Sequence, residues 1–302
     1  MKNILVVGSI NNDITLHMEN LPLPGETVIA HDLKTSLGGK GANQAVAAAR
    51  MGAPVHFIGA IGNDLGSQTI IEQLNSDHIN TTGIDRVDIN TGTAYISIDS
   101  HAENNIIVYP GANFAIIKEH LEANTELFEK SDYCLLQLEI PLDIIKETIR
   151  LCKEHDVKVI LNPAPYHDGI DEEMLKNVDY YIPNEIEFLA TLKLDTTQSH
   201  PLGWIEVKAL EFVKKHNLTL IVTLGGRGAL LVQEEQATLI PAQKMVPIDT
   251  TAAGDSFIGG FLAALSQGQD IVESLKLGSR VAAITISRYG AISAIPYKEE
   301  LK

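Results

Sequence analysis

The fold and the chemistry of this chain centre on residues 249–257, which read Asp249-Thr250-Thr251-Ala252-Ala253-Gly254-Asp255-Ser256-Phe257. Apolar residues recur at helical spacing from 257 to 265 and Gly268 follows, so a helix is predicted to begin near Gly254. The first N–H groups of a helix have no partner within it, and the small residues before Asp255 leave them open. The stretch therefore predicts a loop that leads into a helix. Its open backbone N–H groups could bind an anion such as a phosphate.

Asp255 needs a reason to stand beside an anion site, because a carboxylate there repels the ligand unless it acts on a neighbouring group. It could align an alcohol and accept its proton as the alcohol attacks phosphorus, while backbone amides stabilise the phosphoryl oxygens. That is the arrangement of a small-molecule kinase. The alternative is that Asp255 is a first-turn acid that only stabilises its helix.

Composition limits the classes of function. The chain has 302 residues, 45% of them hydrophobic, which suffices for one large α/β domain or two smaller ones. The formal net charge of −16 at pH 7 argues against binding along a nucleic-acid backbone or docking on an anionic membrane. Cys134 and Cys152 lack metal-type spacing and predict reduced thiols in a cytoplasmic protein. The apolar run at 4–8 is too short for a signal peptide and predicts a buried strand.

Strands and helices alternate along much of the chain. Short apolar strands are predicted at 4–8, 55–58, 133–138, 157–161, 180–182 and 220–223, and helices at 67–75, 142–155, 205–216 and 274–287. This alternation implies right-handed crossovers and a mainly parallel sheet.

A small β-element is predicted outside that sheet. Short strands are expected at 14–17 and 27–31, and a hairpin at 91–99 and 105–109. Such a flap could cover a substrate and exclude water.

A second glycine-rich loop, Leu37-Gly38-Gly39-Lys40-Gly41-Ala42-Asn43-Gln44, precedes a helix-forming run at 45–51. It is not a Walker A loop, because Lys34 stands where the first glycine should be and Gly41 follows Lys40. It also lacks the dinucleotide-binding fingerprint. The glycines could let a polar ligand touch the backbone while Asn43 offers amide hydrogen bonds, or the loop could simply lead into a helix with a solvated lysine.

Polar residues recur at the ends of predicted strands, where ligands collect in open α/β sheets. They are Asn11, Asn12, Asp13, Glu139, Asn162, Asn184 and Thr223. The Asn-Asn-Asp run could equally be a simple turn.

Two further patterns suggest cations. Asn184 and Glu187 stand three apart at a helix start and could hold a hydrated Mg²⁺, although the same spacing is typical of a capping box. Backbone carbonyls at 287–291 could form a monovalent-cation site with Asp249.

With these pieces assembled, the chain resembles the ribokinase family of sugar and nucleoside kinases over nearly its whole length. The motifs that carry the resemblance are Gly8-Ser9-Ile10-Asn11-Asn12-Asp13, Pro24-Gly25-Glu26-Thr27, Gly38-Gly39-Lys40-Gly41-Ala42-Asn43-Gln44-Ala45, Gln137-Leu138-Glu139, Asn162-Pro163-Ala164-Pro165, Pro183-Asn184-Glu185, Thr223-Leu224-Gly225 and 249–255. Each motif is short, but their order is specific.

The resemblance implies a fold and an activity. The fold is a single domain over 1–302, with a central mostly parallel sheet flanked by helices and a small β-sheet lid from about 12–34 and 91–110. The activity is that of a cytoplasmic sugar kinase of ribose catabolism, which uses ATP, Mg²⁺ and K⁺ to convert D-ribose to ribose 5-phosphate. Two lids would clasp to form a homodimer.

The resemblance also implies residue roles. Asp255 would be the base, and Ala252, Ala253 and Gly254 would supply the anion hole. The sugar would contact Asn11, Asn12, Asp13, Gly39, Lys40, Gly41, Ala42, Asn43, Glu139 and Asp255. The nucleotide would contact Asn184, Thr223, Leu224, Gly225, Gly226, Arg227, Gly228, Gly254, Asp255 and Ser279. Glu187 would serve magnesium through water, and Asp249, Thr251, Thr285, Arg288 and Gly290 would hold potassium.

Two positions depart from the family pattern. Ala294 stands where a serine is expected at the potassium site, and Ser279 replaces a larger polar residue expected beside the adenine.

Rival functions stay open at this point. The acceptor could be deoxyribose, fructose or a nucleoside, although Asn11 and Asp13 suit adjacent hydroxyls and the aromatic content of 5% disfavours a base pocket. A sugar-sensing protein without turnover is a rival of another class. A nicotinamide oxidoreductase is a third, which the missing fingerprint disfavours.

Overall fold

The computed structural model describes residues 1–101 and 103–301. Their strands are β1 (Ile4–Val7), β2 (Asn11–His17), β3 (Asp32–Gly38), β4 (Val55–Gly62), β5 (Asn80–Val87), β6 (Gly92–Ile98), β7 (Asn104–Tyr109), β8 (Tyr133–Leu136), β9 (Lys158–Leu161), β10 (Tyr180–Tyr181), β11 (Thr219–Thr223), β12 (Ala229–Gln233) and β13 (Gln236–Ile240). Their α-helices are α1 (Lys40–Arg50), α2 (Ser67–Ser76), α3 (Lys118–Ala123), α4 (Thr125–Glu129), α5 (Leu142–Glu154), α6 (Glu172–Lys176), α7 (Glu185–Thr191), α8 (Leu202–His216), α9 (Ala253–Ser266) and α10 (Ile271–Thr285). No helix in these two segments has the length and apolar character needed to cross a membrane.

The central sheet is mostly parallel. Within the described residues it has nine strands in the order β13-β12-β11-β10-β9-β8-β1-β4-β5, and only the β11–β12 and β12–β13 pairs are antiparallel. Side chains of β1 alternate between two cores, with Leu5 and Val7 on one face and Ile4 and Val6 on the other. Both faces are therefore covered by helices, which explains why the strands read as continuous apolar runs.

One helical layer brings α1 and α9 unusually close. A Cβ atom added at Gly259 of α9 would lie 2.4 Å from the Cβ of Ala47 and 2.6 Å from the backbone oxygen of Gln44. Only a hydrogen atom fits at Gly259, and this lets α1 and α9 pack in close contact. The close contact holds Asp255 of α9 beside the first turns of α1.

A separate sheet of four described strands, in the order β3-β2-β6-β7, forms the lid. The expected strand at 27–31 is wrong, because those residues form no strand and the pairing strand β3 begins at Asp32. The run 11–13 is not a turn but the start of β2. The general prediction of a mostly parallel sheet between helices with a small β lid is confirmed. Strands β5, β12 and β13 were not predicted.

Candidate active site

A cavity of about 230 Å³ lies where β9, β10 and β11 end and α9 begins. Its lining is formed by Lys40, Asn162, Ala164, Ile182, Asn184, Glu187, Thr223, Thr250, Ala252, Ala253, Gly254, Asp255 and Ile258. The structure thus brings together the predicted anion loop, the lysine of the second glycine-rich loop and the Asn184 motif.

Asp255 lies in the first turn of α9 and is 8% exposed. Its Oδ2 accepts a hydrogen bond from Asn43 Nδ2 at 3.0 Å, and its Oδ1 accepts one from Gln44 Nε2 at 2.8 Å. The chain enters this turn through Ala252 with φ +58°, a left-handed conformation that a small residue tolerates more readily than a bulky one. A side chain at Gly254 would meet nothing within 4 Å, so the backbone there is open to a ligand. These observations favour a functional role for Asp255 over a purely helix-stabilising one.

The carboxyl groups of Asp13, Glu139 and Asp255 lie close enough to interact electrostatically. Burial, followed by the Glu139 and Asp255 carboxylates, raises the pKa of Asp13 to about 7. Asp255 raises the pKa of Lys40 above its usual value although burial opposes this. Lys40 is half-buried and lines the cavity, which disfavours the alternative interpretation as a solvated lysine.

The second glycine-rich loop packs against residues 8–11. Glu139 Oε2 accepts hydrogen bonds from Ser9 Oγ at 2.6 Å and from the Lys40 backbone N–H at 3.0 Å. The Ala42 N–H donates to the Ser9 carbonyl at 3.0 Å. Gly39 has φ +87°, and a Cβ at Gly41 would lie 2.6 Å from the Ser9 nitrogen, so both positions require glycine.

The lid strand β2 presents Asn11 and Asp13 on its buried face. Asn12 lies between them and is separated from this group, because successive side chains of a strand point to opposite faces. Sequence reasoning missed Asn113, which is 1% exposed and donates from Nδ2 to Asn11 Oδ1 at 2.8 Å while its Oδ1 accepts from the Ile10 N–H. Because Asn11 Oδ1 faces Asn113, the Nδ2 group of Asn11 faces away from Asn113.

The spacing of Asn184 and Glu187 is that of a capping box, and the interpretation as a hydrated Mg²⁺ site stays a prediction. Asn184 and Glu187 form a reciprocal capping box at the start of α7, and both side chains also line the cavity. Burial raises the pKa of Glu187. Asn184 pairs with Thr223 in a parallel bridge, which joins the motif to the end of β11.

The glycine turn after β11 leaves open backbone, since a Cβ at Gly225 or Gly226 would meet nothing within 4 Å. Within that turn Arg227 forms an ion pair with Glu185. Ser279 lies farther away on α10, where its Oγ accepts from the Gln243 N–H at 3.0 Å. Among the described residues, Leu224, Gly225, Gly226, Arg227, Gly228 and Ser279 lie outside the cavity lining. The contact made by Gln243 was not predicted, since nothing in the sequence relates the two positions.

Among the residues expected at the potassium site, Asp249 is hydrogen-bonded to Thr251 and Gly290. Asp249 Oδ1 accepts from the Thr251 N–H and Oγ1 at 2.9 and 2.6 Å, and its Oδ2 accepts from the Gly290 N–H at 2.9 Å. Burial would raise the pKa of Asp249, but these hydrogen bonds hold it below its usual value. The Arg288 N–H donates to the Thr285 carbonyl at 3.1 Å, and Ala294 is buried without a side-chain oxygen.

A carboxylate with nearby backbone carbonyls is an oxygen donor set that fits a monovalent cation, and Glu187 on the cavity wall fits a hydrated Mg²⁺. In the part of the chain that the structure describes, His, Cys, Asp and Glu side chains do not form a metal-binding group of three or more.

The sequence matches the family described as pfkB family carbohydrate kinase over residues 1–298. It is 37% identical to the ribokinase of Haemophilus influenzae over 99% of this chain and 97% of that protein. It is 33% identical to the deoxyribokinase of Salmonella typhimurium over 99% of this chain and 97% of that protein. The structure of Arabidopsis thaliana ribokinase complexed with ribose and ATP is 30% identical, with a TM-score of 0.89 over 99% of this chain and 97% of that chain.

Proposed function

The chain belongs to the pfkB family of carbohydrate kinases, and we propose that it transfers the γ-phosphoryl group of ATP to O5 of D-ribose. The observation that carries this proposal is the placement of Asp255, a buried carboxylate held by two amide donors beside the N-terminus of α9. A fixed proton acceptor next to open backbone N–H groups suits the attack of an alcohol on a phosphoryl group. The ribokinase relatives, one of them complexed with ribose and ATP, support this acceptor and this donor.

In the proposed reaction, Asp255 receives the proton of the ribose O5 hydroxyl as the O5–Pγ bond forms. The bond between Pγ and the bridging oxygen breaks, and ADP leaves. Ala252, Ala253 and Gly254 offer backbone to the phosphoryl oxygens, and the Lys40 ammonium on the same cavity wall balances their charge.

The sugar side of the site consists of polar groups on β2, the second glycine-rich loop and the end of β8. We assign sugar binding to Asn11, Asp13, Gly39, Lys40, Gly41, Ala42, Asn43 and Glu139. Because Asn113 holds Asn11 Oδ1, Asn11 offers a donor to the sugar, while a carboxyl oxygen of Asp13 offers an acceptor. A donor and an acceptor side by side suit two adjacent hydroxyls, which favours ribose over deoxyribose.

The nucleotide side comprises Asn184, the open glycine turn that follows Thr223, and Gly254. We assign phosphate contacts to Asn184 and the exposed backbone of Gly225 and Gly226, with Ser279 and the loop at Gln243 nearer the base. Leu224, Arg227 and Gly228 shape this turn. Asp255 and Gly254 then separate the nucleotide from the sugar.

Two cations fit the donor groups described above. Magnesium bound through water near Glu187 would neutralise phosphate charge, and potassium near Asp249, Thr251, Thr285, Arg288 and Gly290 would support the loop that leads into α9. Arg288 would contribute its backbone carbonyl, because a guanidinium has no acceptor atom and this one pairs with Glu300. Thr285 would also contribute its carbonyl, because its hydroxyl donates to the Val281 carbonyl.

We also propose that the protein acts in the cytoplasm as a homodimer that joins two lids. All six residues of β7 are exposed, including Ile106, Ile107 and Val108 at 56%, 69% and 52%. An apolar edge strand of this kind is the type of surface that proteins cover by pairing. Cys134 and Cys152 are buried thiols, which agrees with a reducing compartment.

The test is ADP release from purified protein with MgATP and K⁺, comparing ribose, 2-deoxyribose, fructose and adenosine. We expect ribose-dependent release, reduced about 10²- to 10⁴-fold in Asp255→Asn. Asp88→Asn is the matched control, because it makes the same substitution at an exposed residue.

Each alternative has its own outcome in this assay. A preference for 2-deoxyribose would replace the substrate and retain the mechanism. Ribose binding without ADP release would favour a sugar-sensing protein, and turnover unaffected by Asp255→Asn would refute the proposed base.

A further inference from the structure

The Asp255 carboxylate is held by two neighbouring amides of α1, and only one of them has an assigned role. Asn43 belongs to the proposed sugar site, whereas Gln44 is fully buried and has no assigned role. Gln44 Nε2 nevertheless donates to Asp255 Oδ1 at 2.8 Å. It therefore contacts the proposed base from the protein interior.

The orientation of the Gln44 amide is set by its neighbours. Gln137 Nε2 donates to Gln44 Oε1 at 2.7 Å, so the donor end of Gln44 must face the other way. There it is shared between Asp255 Oδ1 and Asn162 Oδ1, the latter at 3.0 Å. Asn162 is oriented in turn, because its Nδ2 donates to the Ile182 carbonyl at 2.8 Å. Each amide in this series of hydrogen bonds has one orientation in which it can bond to its neighbours.

Two amide oxygens around Asp255, Asn43 Oδ1 and Gln137 Oε1, have no hydrogen-bond partner among the described residues. Gln137 is fully buried, yet its Oε1 has no hydrogen-bond partner. Rotating the Gln137 amide would bring an oxygen against Gln44 Oε1 and lose the bond that orients Gln44. A Cβ at Gly8 would lie 2.3 Å from Gln137 Oε1, so Gly8 leaves the space that this orientation needs. An orphaned acceptor disfavours folding, which argues that the arrangement serves something other than stability.

We propose that Gln44, oriented by Gln137 and Asn162, is a positioning residue that fixes the Asp255 carboxylate toward the acceptor hydroxyl. This inference rests on the proposed kinase function. Without Gln44, Oδ1 of Asp255 loses its donor and the carboxylate can rotate about its side-chain bonds. Misplacement of a reacting group by about 1 Å can reduce a rate by about 100-fold.

The experiment compares Gln44→Met and Gln137→Met with the wild-type protein in steady-state assays with ribose and MgATP. Methionine keeps the length of glutamine and removes its amide. We expect Gln44→Met to lower kcat by about 100-fold and to change both KM values by less than about threefold. Gln137→Met should lower kcat less, because it frees the Gln44 amide to rotate without removing it. Thr148→Val is the control for lost stability, since Thr148 is a buried hydroxyl on α5 bonded to the Ile144 carbonyl.

Two further measurements separate positioning from a structural role. Added to Asp255→Asn, Gln44→Met should cause no further loss, because residues that act as a unit are not additive. A kcat within threefold of wild type, or an undiminished loss in the Asp255→Asn background, would overturn the inference. A crystal structure of Gln44→Met gives a readout independent of turnover: a rotated carboxylate supports the inference and an unmoved one overturns it. Lack of ribose turnover by the wild-type protein would instead refute the proposed function.

Discussion

Asp13 should make the ligand-free protein less stable as the pH rises toward neutrality. The residue is 9% exposed, its Oδ1 has no hydrogen-bond partner, and its pKa lies at about 7 because of burial and the Glu139 and Asp255 carboxylates. The ordinary value is 3.8, so between pH 3.8 and about 7 the folded protein retains a proton that the unfolded chain has released. The stability that this proton provides is complete below pH 3.8 and is lost as the pH rises through about 7.

The magnitude follows from the two pKa values. Their difference corresponds to about 4 kcal/mol in the free energy of unfolding. At roughly 2 °C for each kcal/mol in a chain of this size, the effect on Tm is on the order of 8 °C.

The assay is thermal unfolding of wild type, Asp13→Asn and Asp88→Asn without ligands, from pH 5 to pH 9. An asparagine side chain cannot ionise, so the Tm of Asp13→Asn minus the wild-type Tm should grow with pH and level off above about pH 7. Asp88→Asn removes one exposed charge and serves as the control for the change in net charge. A difference that is flat across this range, or equal to that of Asp88→Asn, would refute the argument.

Two further predictions concern the packing of α9 and the lid. Gly259→Ala should lower the free energy of unfolding by about 1–3 kcal/mol and reduce kcat, because the new Cβ would lie 2.4 Å from Ala47 and separate Asp255 from α1. Unfolding and turnover assays check this against Gly203→Ala in α8, where a Cβ would meet nothing within 4 Å and should stabilise by roughly 0.5–1 kcal/mol; equal effects would contradict the packing argument. Ile107→Lys on β7 should convert the proposed dimer to a monomer in sedimentation experiments, whereas Val207→Lys, at an exposed position of α8, should not. A monomeric wild-type protein would rule out the lid dimer.

Local patterns predicted most of the central sheet. Strands such as β1 and β8 are continuous apolar runs because both faces of the sheet are covered, and α9 begins where its small-residue loop indicates. The lid was predicted less well at β3, because that strand is largely exposed and has no apolar run. The segment 27–31 has strand-like composition, but β3 pairs with β2 later in the chain. Which segment pairs with β2 depends on the fit between the two strands and not on the composition of one segment alone.

The sequence by itself determined the parallel sheet, the helix N-terminus with Asp255 and the motifs that identify the family. These features depend on residues that are near one another in the chain. Only the tertiary structure decided how Asp255 is held, because Gln44 is 211 residues away from it, and how Asn11 is oriented, because Asn113 is 102 residues away. Hydrogen bonds between distant residues leave no periodicity or spacing in a single sequence. They form only when the packing of α1 against α9, and of the lid against the sheet, brings their atoms to 2.8 Å.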